Sequence, residues 1–271
     1  MSVILKGAPV VAAMNEANAA RCAALREKGV VPTLAVVRVG AREDDLSYEK
    51  GVMARCAKVG VEVKQFLLPA DAAQEELLGV IACINADPAI HGCLLLRPLA
   101  DKAAEEAAGR LLSPDKDVDG MTPGSLAGLL TGQSGFAPCT AQACLELLDY
   151  YEVPLAGRRA VVVGRSLVVG QPAALLLQRR NATVTVCHTG TRDIPALCRE
   201  ADVLIAAAGQ PGLITADCLR PGQTVLDVGV HPGPDGTLCG DVAAEAAALD
   251  VALTPVPGGV GSVTSAVLCK H

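Results

Sequence analysis

The chain has 271 residues, of which 51% are hydrophobic and 19% charged, with a formal net charge of −6. That length and mixture fit an ordinary globular protein with room for two domains and exclude a disordered chain. Only 2% of residues are aromatic, none of them Trp, and with a negative charge this argues against a nucleic-acid partner, which needs stacking platforms and a basic groove.

The elements alternate along the chain. An Ala-rich helical pattern over 12–28 precedes the strand Thr33-Leu34-Ala35-Val36-Val37-Arg38-Val39. A helix over 44–59, a strand over 61–68, a helix over 72–86 and a buried strand at Cys93–Leu96 follow. The run Arg42-Glu43-Asp44-Asp45 reads as a solvated helix start, with Asp or Ser as caps. Ser113 to Gly120 is a polar break. A second series comprises helix 140–150, strand 159–163, helix 170–180, strand 183–187, helix 193–200 and strand 202–206. Strands at 223–228 and 250–253, a Pro/Gly loop over 254–261 and a short closing helix complete it. Repeated βαβ units predict parallel sheets with helices on their faces. The expected fold class is α/β with two domains, a parallel-sheet substrate domain and a Rossmann-type cofactor domain with a cleft between them. The boundaries are 1–138, completed by the terminal helix 259–271, and 139–258.

Eleven cysteines are scattered without a C-x-x-C pair, and they read as reduced core residues. Four His and no clustered ligands predict no metal site. No apolar run reaches membrane-span length, so no membrane partner is expected. The stretch Met1 to Gly7 lacks the form of a signal peptide.

The most informative string is Val161-Val162-Val163-Gly164-Arg165-Ser166-Leu167-Val168-Val169-Gly170-Gln171-Pro172. A β-branched strand runs through a glycine turn into an Ala/Leu-rich helix. That arrangement aims backbone N–H groups and a helix dipole at a phosphate, and Arg165 adds a cation.

Six strings in order make the chain resemble the methylenetetrahydrofolate dehydrogenase/cyclohydrolase family. They are Pro114-Asp115-Lys116-Asp117-Val118-Asp119-Gly120, Pro138-Cys139-Thr140, the Gly164 to Pro172 run, Ala182 to His188, Val225 to Gly229 with Gly240-Asp241-Val242, and Pro255 to Gly261. The resemblance implies a cytoplasmic homodimer that oxidises 5,10-methylenetetrahydrofolate to the methenyl cation by hydride transfer to a nicotinamide cofactor, followed in many members by hydrolysis to 10-formyltetrahydrofolate. It implies catalytic roles for Tyr48, packed on the folate, and Asp119, accepting from the pterin ring. Pro257, Gly258 and Gly259 would let the backbone approach substrate and nicotinamide closely. Gly164, Arg165, Ser166, Val169, Gly170, Pro172, His188, Thr189, Gly229, Gly261 and Thr264 would line the cofactor, with Thr140 bordering the nicotinamide. Plainer readings stand beside these: Asp119 as a turn residue before Gly120, Tyr48 as a half-buried helix residue, Thr140 as an N-cap.

The chain departs from the family pattern in two places. The Gly60-Val61 pair sets the register so that the family's Lys falls on Val52, and the family's Gln falls on Leu96. Both line the substrate position as apolar side chains. Lys50 lies two residues from Tyr48, about 200° around a helix, and should face away. Hydration of the methenyl cation needs proton transfers, whereas hydride transfer needs no protein acid or base at the reacting carbon. A dehydrogenase with weak or absent cyclohydrolase is therefore expected. The alternatives are a bifunctional enzyme working through a displaced Lys50, or a non-catalytic folate or dinucleotide sensor. The strand ending at His188 lacks the acid that holds an NAD ribose, and Arg165 is available for a 2′-phosphate, which favours NADP. A glycine at 190, where many family members are basic, leaves NAD open.

Overall fold

A computed structural model describes residues 3–233 and 236–271. Met1 and Ser2, at the head of the stretch read above for a signal peptide, lie outside the described residues, as do Pro234 and Asp235. The chain divides into two compact units, 13–139 with 265–271 and 1–12 with 140–264.

In the first unit three parallel strands lie in the order β3-β2-β4, with β2 Thr33–Val39, β3 Glu62–Leu68 and β4 Gly92–Leu95. Leu34 to Val37 of the central strand are buried on both faces, which is why that run lacks alternation. Helices α1 Gly7–Glu27, α2 Glu43–Val59 and α3 Gln74–Ala86 fit the expected periodicity, α1 starting five residues before the predicted position 12. Two helices lie outside the pattern read from sequence, α4 Lys102–Leu111 and α5 Pro123–Thr131. Their apolar content is Ala and Gly-interrupted Leu, so their ends speak louder than their faces. Asp101 caps α4 by accepting from the Ala103 and Ala104 amides, and Thr122 with Pro123 opens α5. Ala104, Ala108 and Leu112 close the core over Ala35, Val37, Ile81, Ile84 and Leu95.

In the second unit α6 Cys139–Tyr150 leads into β5 Arg159–Val163, α7 Gly170–Arg179, β6 Thr183–Cys187, α8 Ile194–Glu200, β7 Val203–Ala206 and β8 Thr224–Asp227. A hairpin of β9 His231–Pro232 and β10 Leu238–Cys239 precedes β11 Ala252–Leu253 and α9 Val260–Lys270. β5, β6, β7, β8 and β11 form with β1 Val3–Ile4 a six-stranded parallel sheet, β1-β11-β8-β7-β5-β6, and the β9–β10 hairpin stands apart from it. The chain leaves β5 for β6 on one side and returns to β7 on the other, so the order reverses beside β5. Ligands of such sheets sit beyond the carboxyl ends of the strands at that point. β1, like β9 and β10, is a strand that the sequence pattern does not announce. Two residues carry too little pattern to declare a strand, yet Val3 pairs with Ala252 and draws the chain's start into this sheet rather than into a unit spanning 1–138.

Among the described residues no helix is long and apolar enough to cross a membrane, and no three His, Cys, Asp or Glu side chains converge as metal ligands. The eleven cysteines are unpaired and eight are buried.

Candidate functional site

The first unit holds a cavity of about 390 Å³ at the carboxyl end of β4, with Arg42, Asp45, Tyr48, Leu96, Arg97 and Asp119 among its walls. The loop bearing Asp119 is fixed by its neighbours. Lys116 Nζ donates to the carbonyls of Ile84 and Asp87 at 2.6 and 2.7 Å, closing the end of α3. Asp117, fully buried, accepts from the Met121 and Thr122 amides at 3.1 and 2.7 Å and from Ser125 Oγ at 2.6 Å, organising the start of α5. Gly120 takes φ +68°, and a Cβ there would collide with the backbone at Ala137–Pro138. Two of the three charged side chains in Lys116-Asp117-Val118-Asp119 are thus committed to the fold, and Asp119 is the one left facing the cavity.

Asp119 Oδ2 lies 3.5 Å from Arg97 Nη2. Desolvation pushes the carboxyl above its ordinary range, while Arg97 pulls it back. Desolvation, with Asp119 nearby, also raises Tyr48, so its side chain stays a phenol at neutral pH. Val52 is 1% exposed and does not line the cavity; Leu96, 4% exposed, does. Lys50 is exposed and is not among the lining residues, as its position on the helix predicts. The acidic start of α2 corrects its sequence reading. Asp45 is buried and holds Arg42 through two hydrogen bonds of 2.8 and 2.9 Å, and the cap is Arg42 itself without a side-chain bond. An ion pair with the preceding turn outweighs solvation here.

In the second unit the turn after β5 lies where the strand order reverses. Gly164 takes φ +130°; a Cβ there would collide with the Ala207 carbonyl, and one on Gly170 with the Gly164 carbonyl. Ser166 Oγ accepts from the Val169 amide at 3.1 Å and the Gly170 amide at 3.5 Å, and Pro172 is buried in the first turn of α7. The Arg165 side chain stands exposed. A glycine cradle at a helix start, backed by a cation, fits the diphosphate of a dinucleotide.

Beyond β6, His188 Nδ1 accepts from the Gly190 amide at 3.0 Å, which leaves Nε2 to carry the proton of the neutral ring; Thr189 is exposed. A Cβ on Gly190 would lie 3.2 Å from the imidazole, so a side chain there would shift the ring. Beyond β7 and β8, Asp241 accepts from the Ala208 and Gly209 amides at 2.6 and 2.9 Å and meets His231 Nε2 at 2.8 Å. Asp227 accepts from the amides of Gly229, Asp241 and Val242 at 2.9–3.1 Å. Burial pushes Asp227 up to about 6 against those bonds. Gly229 has a reason to be glycine apart from any ligand, since a Cβ would strike the Asp241 carboxylate. Gly258 takes φ +97°, and its carbonyl accepts from the Gly7 amide at 2.8 Å; it follows Pro257 and precedes Gly259, whose Cβ would meet the Pro255 carbonyl. Gly261 lies in the first turn of α9, its carbonyl accepting from Thr264 Oγ1 at 3.0 Å. Thr140 lies inside the first turn of α6, one residue past its start at Cys139, and so does not cap it.

The sequence alone leaves Arg97 and the Asp227–Asp241–His231 cluster without roles and gives Arg42 and Asp45 that of a solvated helix start. Arg97 carried a usable signal, a charge set directly after an apolar run at a strand's carboxyl end.

Residues 5–119 match the catalytic domain, and residues 138–271 the NAD(P)-binding domain, of tetrahydrofolate dehydrogenase/cyclohydrolase. The bifunctional protein FolD of Carboxydothermus hydrogenoformans is 48% identical, over all of this chain and 96% of its own length. Among solved structures, the Campylobacter jejuni bifunctional enzyme FolD-methylenetetrahydrofolate dehydrogenase/cyclohydrolase superposes with a TM-score of 0.94 at 36% identity, covering 100% of this chain and 96% of that one. The Trypanosoma brucei methylenetetrahydrofolate dehydrogenase-cyclohydrolase, complexed with NADP cofactor and inhibitor, does so with a TM-score of 0.89 at 35% identity, covering 99% and 95%. With family matches over 5–119 and 138–271 and a relative 48% identical along all of it, the chain belongs to the tetrahydrofolate dehydrogenase/cyclohydrolase family.

Proposed function

We propose that this protein oxidises 5,10-methylenetetrahydrofolate to 5,10-methenyltetrahydrofolate. The observation that carries the reading is Asp119, the one charged side chain of its motif left facing a cavity that also presents the Tyr48 phenol. An ionised carboxylate suits the amidine-like N–H edge of a pterin because it accepts two hydrogen bonds at once. Tyr48 supplies a flat apolar wall and a hydroxyl that keeps its proton. In this reading Leu96 packs on the ring, and Pro257, Gly258 and Gly259 leave the backbone bare for close approach.

Gly164, Arg165, Ser166, Val169, Gly170 and Pro172 would hold the cofactor diphosphate, with His188 and Thr189 toward the adenosine ribose and Thr140, Gly229, Gly261 and Thr264 along the rest of the dinucleotide. When bound, the nicotinamide accepts the hydride. The protein's part is to hold donor and acceptor in line and keep water away. NADP is the favoured cofactor: no acid stands between Cys187 and Arg192 to hold a 2′-hydroxyl, Arg165 and His188 Nε2 are available to a 2′-phosphate, and the T. brucei relative was solved with NADP. The proposal includes a homodimer working in the cytoplasm.

For the second activity, the relatives named bifunctional at 48% and 36% identity favour an enzyme that also hydrolyses the methenyl product, over the weak cyclohydrolase expected from Val52 and Leu96. One observation supports the weaker activity: both side chains are buried and apolar, and Lys50 is outside the cavity. Parallel initial rates with NAD and NADP, followed by decay of supplied methenyltetrahydrofolate, test each part. Rapid reduction of NADP with accelerated methenyl decay is the bifunctional outcome; decay at the uncatalysed rate is the monofunctional one. No reduction of either cofactor would refute the dehydrogenase.

A further inference from the structure

Arg97 has no assigned part in this reading, and its setting is unusual. It leaves β4 at the cavity wall with two carboxylates in reach, Asp119 Oδ2 at 3.5 Å from Nη2 and Glu105 Oε1 at 3.9 Å from Nη1. Its Nε is buried without a partner among the described residues. An unpaired buried donor is costly, and the side chain tolerates it because its two terminal nitrogens are drawn toward carboxylates. Glu105 is itself anchored on α4, where its other oxygen accepts from the Leu99 amide at 2.7 Å and from Lys102 Nζ at 3.3 Å. The cavity's second cation, Arg42, is clamped by Asp45. Arg97 is thus the cation placed to act on Asp119.

We propose that Arg97 is a positioning residue for substrate binding: anchored on Glu105, it aims the Asp119 carboxylate into the cavity and supplies there the positive charge that Val52 and Leu96 cannot. The assignment rests on reading the cavity as the tetrahydrofolate pocket. A ring edge made of N–H donors needs an acceptor-only partner, and a protonated Asp119 would set an O–H against an N–H. The groups acting on Asp119 are few. Arg97 favours its charge, and so does a hydrogen bond from Cys139 at the start of α6; Asp117 in the same loop opposes it, as does desolvation. Tyr48 of α2, itself held neutral, faces it. Behind Arg97 stands Glu105 of α4, itself paired with Lys102 of the same helix. Removing Arg97 therefore moves Asp119 further up, so that its carboxylate is lost at a higher pH as the solution is acidified.

The test is steady-state kinetics of wild type, Arg97→Leu, Arg97→Lys, Asp119→Asn and the Arg97→Leu/Asp119→Asn double variant between pH 6 and 9, with thermal melts of each. Arg97→Leu is expected to raise KM for methylenetetrahydrofolate about tenfold, the scale of one charge-assisted contact, while kcat and the KM for the dinucleotide change little. The acid limb of its kcat/KM profile moves to higher pH, Arg97→Lys restores most of the loss, and Arg97→Leu adds little in the Asp119→Asn background. A wild-type KM and pH profile in Arg97→Leu, or a full additive loss in the double variant, would overturn the assignment with the dehydrogenase reading intact. A wild-type protein that oxidises no methylenetetrahydrofolate would overturn that reading and this one together. If Arg97→Leu fails to fold, Arg97→Gln takes its place: a raised KM with the acid limb at higher pH upholds the charge role, and a wild-type KM with an unmoved limb overturns it.

Discussion

At the scale of single residues, the site divides into side chains that hold the chain and side chains left for a ligand. Lys116 and Asp117 belong to the first kind and Asp119 to the second, although all sit in one short motif. That division is invisible in the sequence, because it depends on where the ends of α3 and α5 fall. Tyr48 and Asp119 were legible through their motif spacing. Asp45 was misread as solvated, since only the fold brings Arg42 over it. The exposed Arg165 yields a prediction at this scale. Replacing it with Ala should raise KM for NADP about tenfold or more and KM for NAD much less, because a 2′-phosphate loses a charge-assisted partner that a 2′-hydroxyl never had. Equal effects on both cofactors, read from initial rates, would place Arg165 on the diphosphate alone.

The elements owe their positions to their ends as much as to their faces. The strand–turn–helix around Gly164 was legible because its chemistry demands a rare sequence: no Cβ fits at Gly164 or Gly170. Gly170→Ala is therefore expected to weaken dinucleotide binding severely, measured by calorimetric titration, and a variant with unchanged affinity would contradict the cradle. Helix α4 carried a legible signal, Ala104 and Ala108 at helical spacing among charged residues, whereas α5 is nearly all apolar or Gly and its cap, Thr122, sits in otherwise loop-like sequence. Asp117 ties α5 to the loop before it. Asp117→Ala strands three donors, two of them buried, and should cost about 2–4 kcal/mol, lowering the melting temperature by several degrees for a chain of this size. An unshifted melt would show that the network is not structural.

Across the whole molecule, the βαβ rhythm announced two parallel sheets, and both are present. Residues 265–271 group with the first unit, where the closing helix was expected. What the rhythm could not disclose is the place of the first residues: a two-residue strand at Val3–Ile4 completes the six-stranded sheet. Such short pieces carry no periodicity; their place follows from which sheet edge has unpaired backbone groups to offer. The same division of labour, a carboxylate cavity in one unit and a glycine cradle in the other, suits the hydride transfer proposed for this protein. Its most direct measurement is isotopic: methylenetetrahydrofolate deuterated at the one-carbon bridge is turned over with NADP, and the reduced dinucleotide is weighed by mass spectrometry. Deuterium recovered in the nicotinamide ring is the predicted result. Reduced cofactor without the label, or no reduced cofactor at all, would contradict the account.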